Sequence, residues 1–236
     1  MSTENDTSVT LITGGGSGIG AAVAGRLLAA GQRVAVLGRG AERLAALERE
    51  LEAPDGLLTI VGDSSDWPSV REAVASTIDR FGRLDAVVAN AGVTSHDTVV
   101  DGDPEKWREM VLTNVLGPAL LIRAALSALR TSAGRIVLVG SVAGLVNTPG
   151  NLYGATKWAM TGLAENARRA VTADGVGVTL IAPGRVETPF WDGLGELPAG
   201  RLLSADEVAA SVVWALDQPA GVDVNTVTIR PVGQPV

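Results

Sequence analysis

The sequence contains one tyrosine, Tyr153, and two lysines, Lys106 and Lys157, against seventeen arginines. A chain so sparing with Tyr and Lys sets one of each four residues apart, in Tyr153-Gly154-Ala155-Thr156-Lys157, within a helix-period segment. Positions i and i+4 of a helix share a face and lie about 6 Å apart along its axis. A phenol with a pKa of about 10 is a poor base at neutral pH, but a neighbouring ammonium stabilises the phenolate and lowers that value toward the working range. Ser141 follows an apolar run that reads as a strand, so its hydroxyl can stand nearby and hydrogen-bond a substrate carbonyl. Singly, these are a packed Tyr, a solvated Lys and a turn Ser. Together, in the sole tyrosine, they point to acid–base chemistry by Tyr153.

A second constellation is Thr13-Gly14-Gly15-Gly16-Ser17-Gly18-Ile19-Gly20, between a first apolar run and a helix-period segment. Glycines let the backbone turn sharply and approach a pyrophosphate, and a helix N-terminus presents free N–H groups to its charge. The spacing is TGxxxGxG rather than GxGxxG, and no GK[ST] follows, which disfavours a nucleotide triphosphatase. A dinucleotide site expects an acid about twenty residues on, at the end of the second strand, to hold the ribose hydroxyls. The residue there is Arg39, in Val34-Ala35-Val36-Leu37-Gly38-Arg39. A guanidinium binds a 2′-phosphate through paired hydrogen bonds where an acid would repel it, which favours NADP(H) with NAD(H) as the alternative. The ordinary reading of Arg39 is a solvated strand-end residue.

The elements that must position these groups follow from apolar patterning. Val9–Thr13, Arg33–Leu37, Leu57–Val61, Ala86–Ala89, Ile136–Val139, Val176–Ile181 and Thr226–Ile229 read as strands, mostly continuously apolar, as in parallel strands covered on both faces. Helices are expected at 18–30, 41–52, 67–81, 104–130, 152–173 and 204–217. Asp103-Pro104 places an N-cap before a first-turn proline, and Ser204…Glu207 reads as a capping box. Strand–helix alternation predicts one α/β domain over 1–236, a doubly wound parallel sheet of about seven strands with helices on both faces. Residues 1–7 are expected to be flexible. The long segments 92–102 and 183–203 should overhang the carboxyl edge, where open α/β sheets bind ligands. The segment 183–203 is expected to be a substrate loop.

Composition narrows the classes. The 236 residues are 46% hydrophobic and 19% charged, enough apolar material for a core, with net charge −7. With no cysteine and one histidine, His96, thiol catalysis, disulfides and Cys- or His-cluster metal sites are excluded, so no metal is expected. The acidic balance without a basic block argues against nucleic acid. A polar, acidic N-terminus and the lack of a run of about 18 apolar residues predict neither a signal peptide nor a membrane span, hence a cytoplasmic location. Met110–Leu129 is apolar on nearly all sides, so it must be covered twice, by its own sheet and by something else.

The ordered set TGGGSGIG at 13–20, Asp63, Asn90-Ala91-Gly92, Asn114, Ser141, Tyr153…Lys157 and Pro183-Gly184-Arg185-Val186-Glu187-Thr188 resembles the classical short-chain dehydrogenase/reductase family over nearly the whole chain. The resemblance implies a Rossmann fold and hydride transfer between a nicotinamide cofactor and a small carbonyl or alcohol substrate. It implies that Asp63 bonds the adenine amino group while Asn90 and Gly92 shape the cleft beside Thr13. Asn114 would hold a water in a relay with Lys157, which grips the nicotinamide ribose. Val186 and Thr188 would bind the carboxamide, and Ser141 would orient the carbonyl for Tyr153. The remaining cofactor contacts it implies are Gly14, Gly16, Ser17, Gly18, Ile19, Gly20, Ala91, Pro183 and Gly184. The family covers the apolar helix with further subunits, which implies a homo-oligomer, a tetramer or otherwise a dimer.

Two departures stand out. Ser141 precedes Tyr153 by twelve residues where many relatives have thirteen. The tail 224–231 lacks the Asp-Gly-Gly finish of β-ketoacyl carrier-protein reductases and is more similar to the NADP-preferring branch with the 3-hydroxy acid dehydrogenases. Alternatives within the resemblance are a β-ketoacyl thioester reductase and a non-catalytic NADP(H)-sensing protein, although such sensors generally lose the Tyr or Lys. Phe190 and Trp191 are candidates for an apolar pocket, His96 reads as an exposed loop residue, and Trp158 and Met160 as packing.

Overall fold

The computed structural model describes residues 7–52, 55–192 and 200–235. Seven strands build one parallel sheet: β1 (Val9–Thr13), β2 (Arg33–Gly38), β3 (Leu57–Val61), β4 (Ala86–Ala89), β5 (Arg135–Val139), β6 (Gly177–Pro183) and β9 (Thr226–Ile229). Their order across the sheet is β3-β2-β1-β4-β5-β6-β9. A parallel strand can be followed by its neighbour only after a crossover, and the connecting helices cover both faces. The apolar strands supply both cores. Leu11, Ala35 and Leu37 pack with the helices α3 (Trp67–Phe81), α5 (Gly117–Ser132) and α6 (Leu152–Val171). Ile12, Val34 and Val36 pack with α1 (Gly18–Ala29), α2 (Ala41–Glu50) and α7 (Ala205–Leu216). This is the doubly wound Rossmann-like fold, with seven strands.

Helix starts follow their caps. The Asp66 carboxylate accepts from the Ser69 N–H at 2.9 Å at the head of α3, and Asp103 does the same from Glu105 at 3.0 Å at the head of α4 (Pro104–Val111). The Ser204 capping box forms as expected, Ser204 Oγ accepting from Glu207 N at 3.0 Å and the Glu207 carboxylate from Ser204 N at 2.8 Å.

Two expectations are corrected. The single helix over 104–130 is two helices, α4 and α5, joined by a π-helical turn at Leu112–Leu116. Pro118 is the cause: it has no N–H to offer the carbonyl of Asn114 four residues back, and the Gly117 N–H reaches Leu112 instead. The joined run Pro104–Ser132 is, among the described residues, the one helix long and apolar enough to cross a membrane by length and composition. Its Leu121, Ala125 and Leu129 are fully buried in the core, which makes it the core helix of this sheet. Second, 183–203 is more than a loop: within it Val186–Glu187 (β7) pairs in parallel with Leu203–Ser204 (β8), tying the two ends of the segment together. Residues 193–199 of that segment, and 1–6 of the tail expected to be flexible, lie outside the described residues.

Candidate active site

β1 and β4 are neighbours, but the chain leaves them toward opposite halves of the sheet, so their carboxyl ends open into a cleft of about 890 Å3. Gly14, Gly16, Ser17, Gly18, Ile19, Arg39, Asp63, Asn90, Ala91, Gly92, Ser141, Tyr153, Lys157, Pro183, Gly184, Val186 and Thr188 all line it. Two expected residues do not. Gly20 is buried beneath the turn, where a Cβ would stand 2.6 Å from Asn90 Nδ2, so its smallness serves packing. Asn114 is fully buried behind the wall.

The glycine turn is built to stay open. Gly14 has φ +65°, and a Cβ there would lie 2.7 Å from the Ala91 backbone. Asn90 fastens the turn from the β4 side, its Nδ2 donating to the carbonyls of Thr13 at 3.1 Å and Gly14 at 3.0 Å. The Thr13 hydroxyl accepts from the Asn90 and Ala91 N–H groups at 3.2 and 3.3 Å. Asn90 thus acts on the turn itself. Ser17 at the head of α1 makes no side-chain cap, and the first turn carries no acid, so the helix N-terminus faces the cleft with its donors uncovered. These features fit a dinucleotide pyrophosphate.

Ser141, Tyr153 and Lys157 converge opposite that turn. Ser141 caps the short turn Val142–Gly144, accepting from Ala143 N at 3.1 Å, and Asn151 caps α6, accepting from Gly154 N at 2.7 Å. Gly144 lets the turn lie directly on α6: a Cβ there would collide with the Lys157 carbonyl, and Thr161 Oγ1 donates to the Gly144 carbonyl at 3.1 Å. With twelve residues between them, Ser141 and Tyr153 still stand near enough for the Ser141 hydroxyl to act on the phenol. Lys157 is buried, its Nζ donating to the Val139 carbonyl at 3.2 Å and lying 5.6 Å from the centre of the Tyr153 ring.

The expected lowering of the Tyr153 pKa by the ammonium does not win in this chain by itself. Burial pushes the phenol up to about 12, with the Ser141 hydrogen bond acting in the lowering direction, and burial pushes Lys157 down to about 8. Desolvation penalises the charged form of both groups. Tyr153 is thereby held protonated at neutral pH.

Asn114 sits on the π turn, its Nδ2 donating to the Val93 carbonyl at 2.9 Å and to Thr156 Oγ1 at 3.0 Å, and its Oδ1 accepting from Val93 N at 2.9 Å. A Cβ on Gly92 would be 3.5 Å from both Asn114 Oδ1 and Lys157 Nζ, so the three meet at one point. Pro118 offers the Asn114 carbonyl no N–H at this place, a signal present in the sequence as a helix-interior proline.

At the far end, Asp63 Oδ1 accepts from Ser65 N and Oγ, both at 2.8 Å. Arg39 lines the cleft, yet its Nη1 is ion-paired at 2.6 Å with Glu109 of α4. Arg43 of α2 lines the same end. Glu109, Arg43 and Gln234, whose Oε1 accepts from Arg185 N at 3.0 Å, were not singled out by sequence. Each reaches the site from a separate element with no motif of its own.

The buried ammonium has a measurable consequence. Its folded pKa, about 8, lies below its ordinary 10.5, so between these values the unfolded chain binds more protons and stability rises with pH. Tyr153 acts in the opposite sense, costing stability only as pH passes from 10 to about 12. Lys157→Met is expected to stabilise the cofactor-free protein at pH 7 by about 1–3 kcal/mol and to abolish the rise between pH 8 and 9.5, measured by urea unfolding.

The comparisons agree with this architecture. Residues 8–197 match the family model described as short chain dehydrogenase. An uncharacterized oxidoreductase of Staphylococcus epidermidis is 35% identical over 226 residues, 95% of this chain and 97% of the relative. A serine dehydrogenase solved in its closed form with NADP+ has TM-score 0.90 at 31% identity, covering 96% of each chain. An alcohol dehydrogenase of the archaeon Thermococcus sibiricus, complexed with 5-hydroxy-NADP, has TM-score 0.88 at 30% identity, covering 97% of this chain and 98% of that one. The chain belongs to the short-chain dehydrogenase family and is a dehydrogenase/reductase enzyme.

Proposed function

We propose that this enzyme interconverts a ketone or aldehyde and an alcohol using NADP(H), with Tyr153 as general acid in reduction and general base in oxidation. The observation that carries this reading is the convergence of Ser141, Tyr153 and Lys157 on one wall of a cleft whose opposite wall is the glycine turn. The glycine turn, the head of α1 and the 183–188 segment would hold the nicotinamide cofactor, which would supply or accept the hydride. Ser141 and Tyr153 hydrogen-bond the substrate carbonyl oxygen, and the Tyr153 proton passes to that oxygen as it gains charge. The phenolate left behind is costly in a buried site, and the Lys157 ammonium offsets it. The Asn114 carbonyl, deprived of a Pro118 donor, is placed to hold a water that restores the proton through Lys157.

Tyr153→Phe is expected to retain NADPH binding and lose about 10²–10⁴-fold in kcat, read from NADPH absorbance over a panel of aldehydes and ketones. Equal rates in both proteins would remove Tyr153 from the reaction.

The NADP(H) preference rests on Arg39 and Arg43 at an end of β2 that carries no acid. Glu109 opposes it, because Arg39 must loosen that ion pair to hold a phosphate. Arg39→Asp is expected to shift the NADPH/NADH dissociation-constant ratio at least tenfold toward NADH, about 1.4 kcal/mol, and Glu109→Gln to shift it the other way. Calorimetric titration of both cofactors reads each change.

A homo-oligomer, a tetramer or otherwise a dimer, accounts for the apolar side chains left exposed on α4, α6 and α7 and just before α5. Val111 at the end of α4, Trp158 of α6 and Trp214 of α7 are 43%, 44% and 51% exposed, and Leu116 heads α5. Light scattering should give the mass of four chains or otherwise of two, and a monomer would remove this reading.

A further inference from the structure

The proton chemistry leaves His96, Phe190 and Trp191 unused, although all three line the cleft. The Phe190 ring lies 5.4 Å from the Tyr153 ring, tilted by 57°. Trp191 meets Phe190 edge-on at 5.5 Å, and His96 stacks on Trp191 at 5.8 Å with 21° between the planes. The cluster is tied down at two points. Trp191 Nε1 donates to the Val186 carbonyl at 2.6 Å, and His96 Nε2, as its N–H, donates to the Phe190 carbonyl at 3.3 Å. The loop after β4 and the segment after β6 are thereby joined beside Tyr153 by an aromatic wall. Such faces bind flat apolar groups through ring packing as well as through the area buried.

Charge narrows the choice further. No Lys or Arg occurs in 92–102, 141–151 or 186–192, the described segments on this side of the cleft, and two of their carboxylic acids, Asp97 and Asp192, line it. Of the cationic lining residues, Arg39 and Arg43 belong to the β2 end, Lys157 lies buried under Tyr153, and Arg185 sits in the turn after β6 with its N–H held by Gln234. An anionic substrate entering between these walls would lose hydration and meet like charge.

We infer that the substrate is an uncharged carbonyl compound with a flat apolar ring, packed against Phe190 with its carbonyl oxygen toward Ser141 and Tyr153. The inference rests on Tyr153 as the proton donor. It disfavours 3-oxo carboxylates and thioesters of anionic carriers, including the β-ketoacyl thioesters that the family resemblance admits.

The test uses matched pairs on the cofactor-loaded wild-type enzyme: cyclohexanone against 4-oxocyclohexanecarboxylate, and acetophenone against 4-acetylbenzoate, with acetoacetyl-coenzyme A alongside. The neutral member of each pair is expected to have a kcat/KM at least tenfold higher. Phe190→Ala is expected to lower the ratio of ring ketone to butanone at least tenfold through KM. Preference for a carboxylated twin or for the thioester overturns the inference, as does a Phe190→Ala effect equal on ring ketone and butanone. Saturation-transfer NMR with NADP+ bound separates the two levels. Ring ketones that bind but never turn over support the aromatic wall while removing the proposed reaction, whereas ring ketones that do not bind overturn the inference itself.

Discussion

A parallel strand ends at the opposite edge of the sheet from where its successor begins, so every connection must cross a face. In this chain that constraint places every strand-to-helix turn at the carboxyl edge and lays helices on both faces. Where the chain, having wound outward from β1 to β3, returns to lay β4 against β1, no crossover fills the edge. The gap is permanent because the sheet pairing makes it, and Asn90 and Thr13 tie its two lips together from opposite sides. Every group in the site hangs from that opening.

Within the opening, stability and chemistry pull against each other. A hydrophobic residue at 157 would suit the packing of α6 better than an ammonium with a single carbonyl partner at 3.2 Å. The same burial that weakens Lys157 as a cation keeps the Tyr153 phenol protonated. A helix-interior proline is a comparable compromise: Pro118 disrupts the longest helical run, and the π turn it forces carries Asn114 to the point where Gly92 and Lys157 meet. In both places, local irregularity coincides with the site.

The cleft is also electrically divided. Its β2 end bears Arg39 and Arg43, with Glu109 as an internal counter-charge, while the walls beside Tyr153 are aromatic and acidic. One half suits a polyanion and the other an uncharged body. The short pairing of β7 with β8 and the His96–Phe190 contact hold the second half in shape without adding a cation to it.

Sequence alone reached the strand order's raw material: continuous apolar runs for β1 to β6 and β9, the caps at Asp103 and Ser204, and the Tyr153–Lys157 pair. All of these are encoded within a few neighbouring residues, where helix and strand periods and capping rules operate. Strand ends slipped by a residue or two, as at Arg135 and Pro183, because hydrogen bonding to a neighbouring strand, not local pattern, sets them. The π turn was legible in principle, since Pro118 stands in plain view, but a long apolar period concealed it. What only the tertiary structure decided is what lies across distance: Glu109 on Arg39, Gln234 on Arg185, Phe190 against Tyr153, and the net direction in which burial drives the Tyr153 and Lys157 pKa values. Those depend on which atoms the fold brings within a few ångströms and how much water it leaves between them, and no spacing along a chain carries that information.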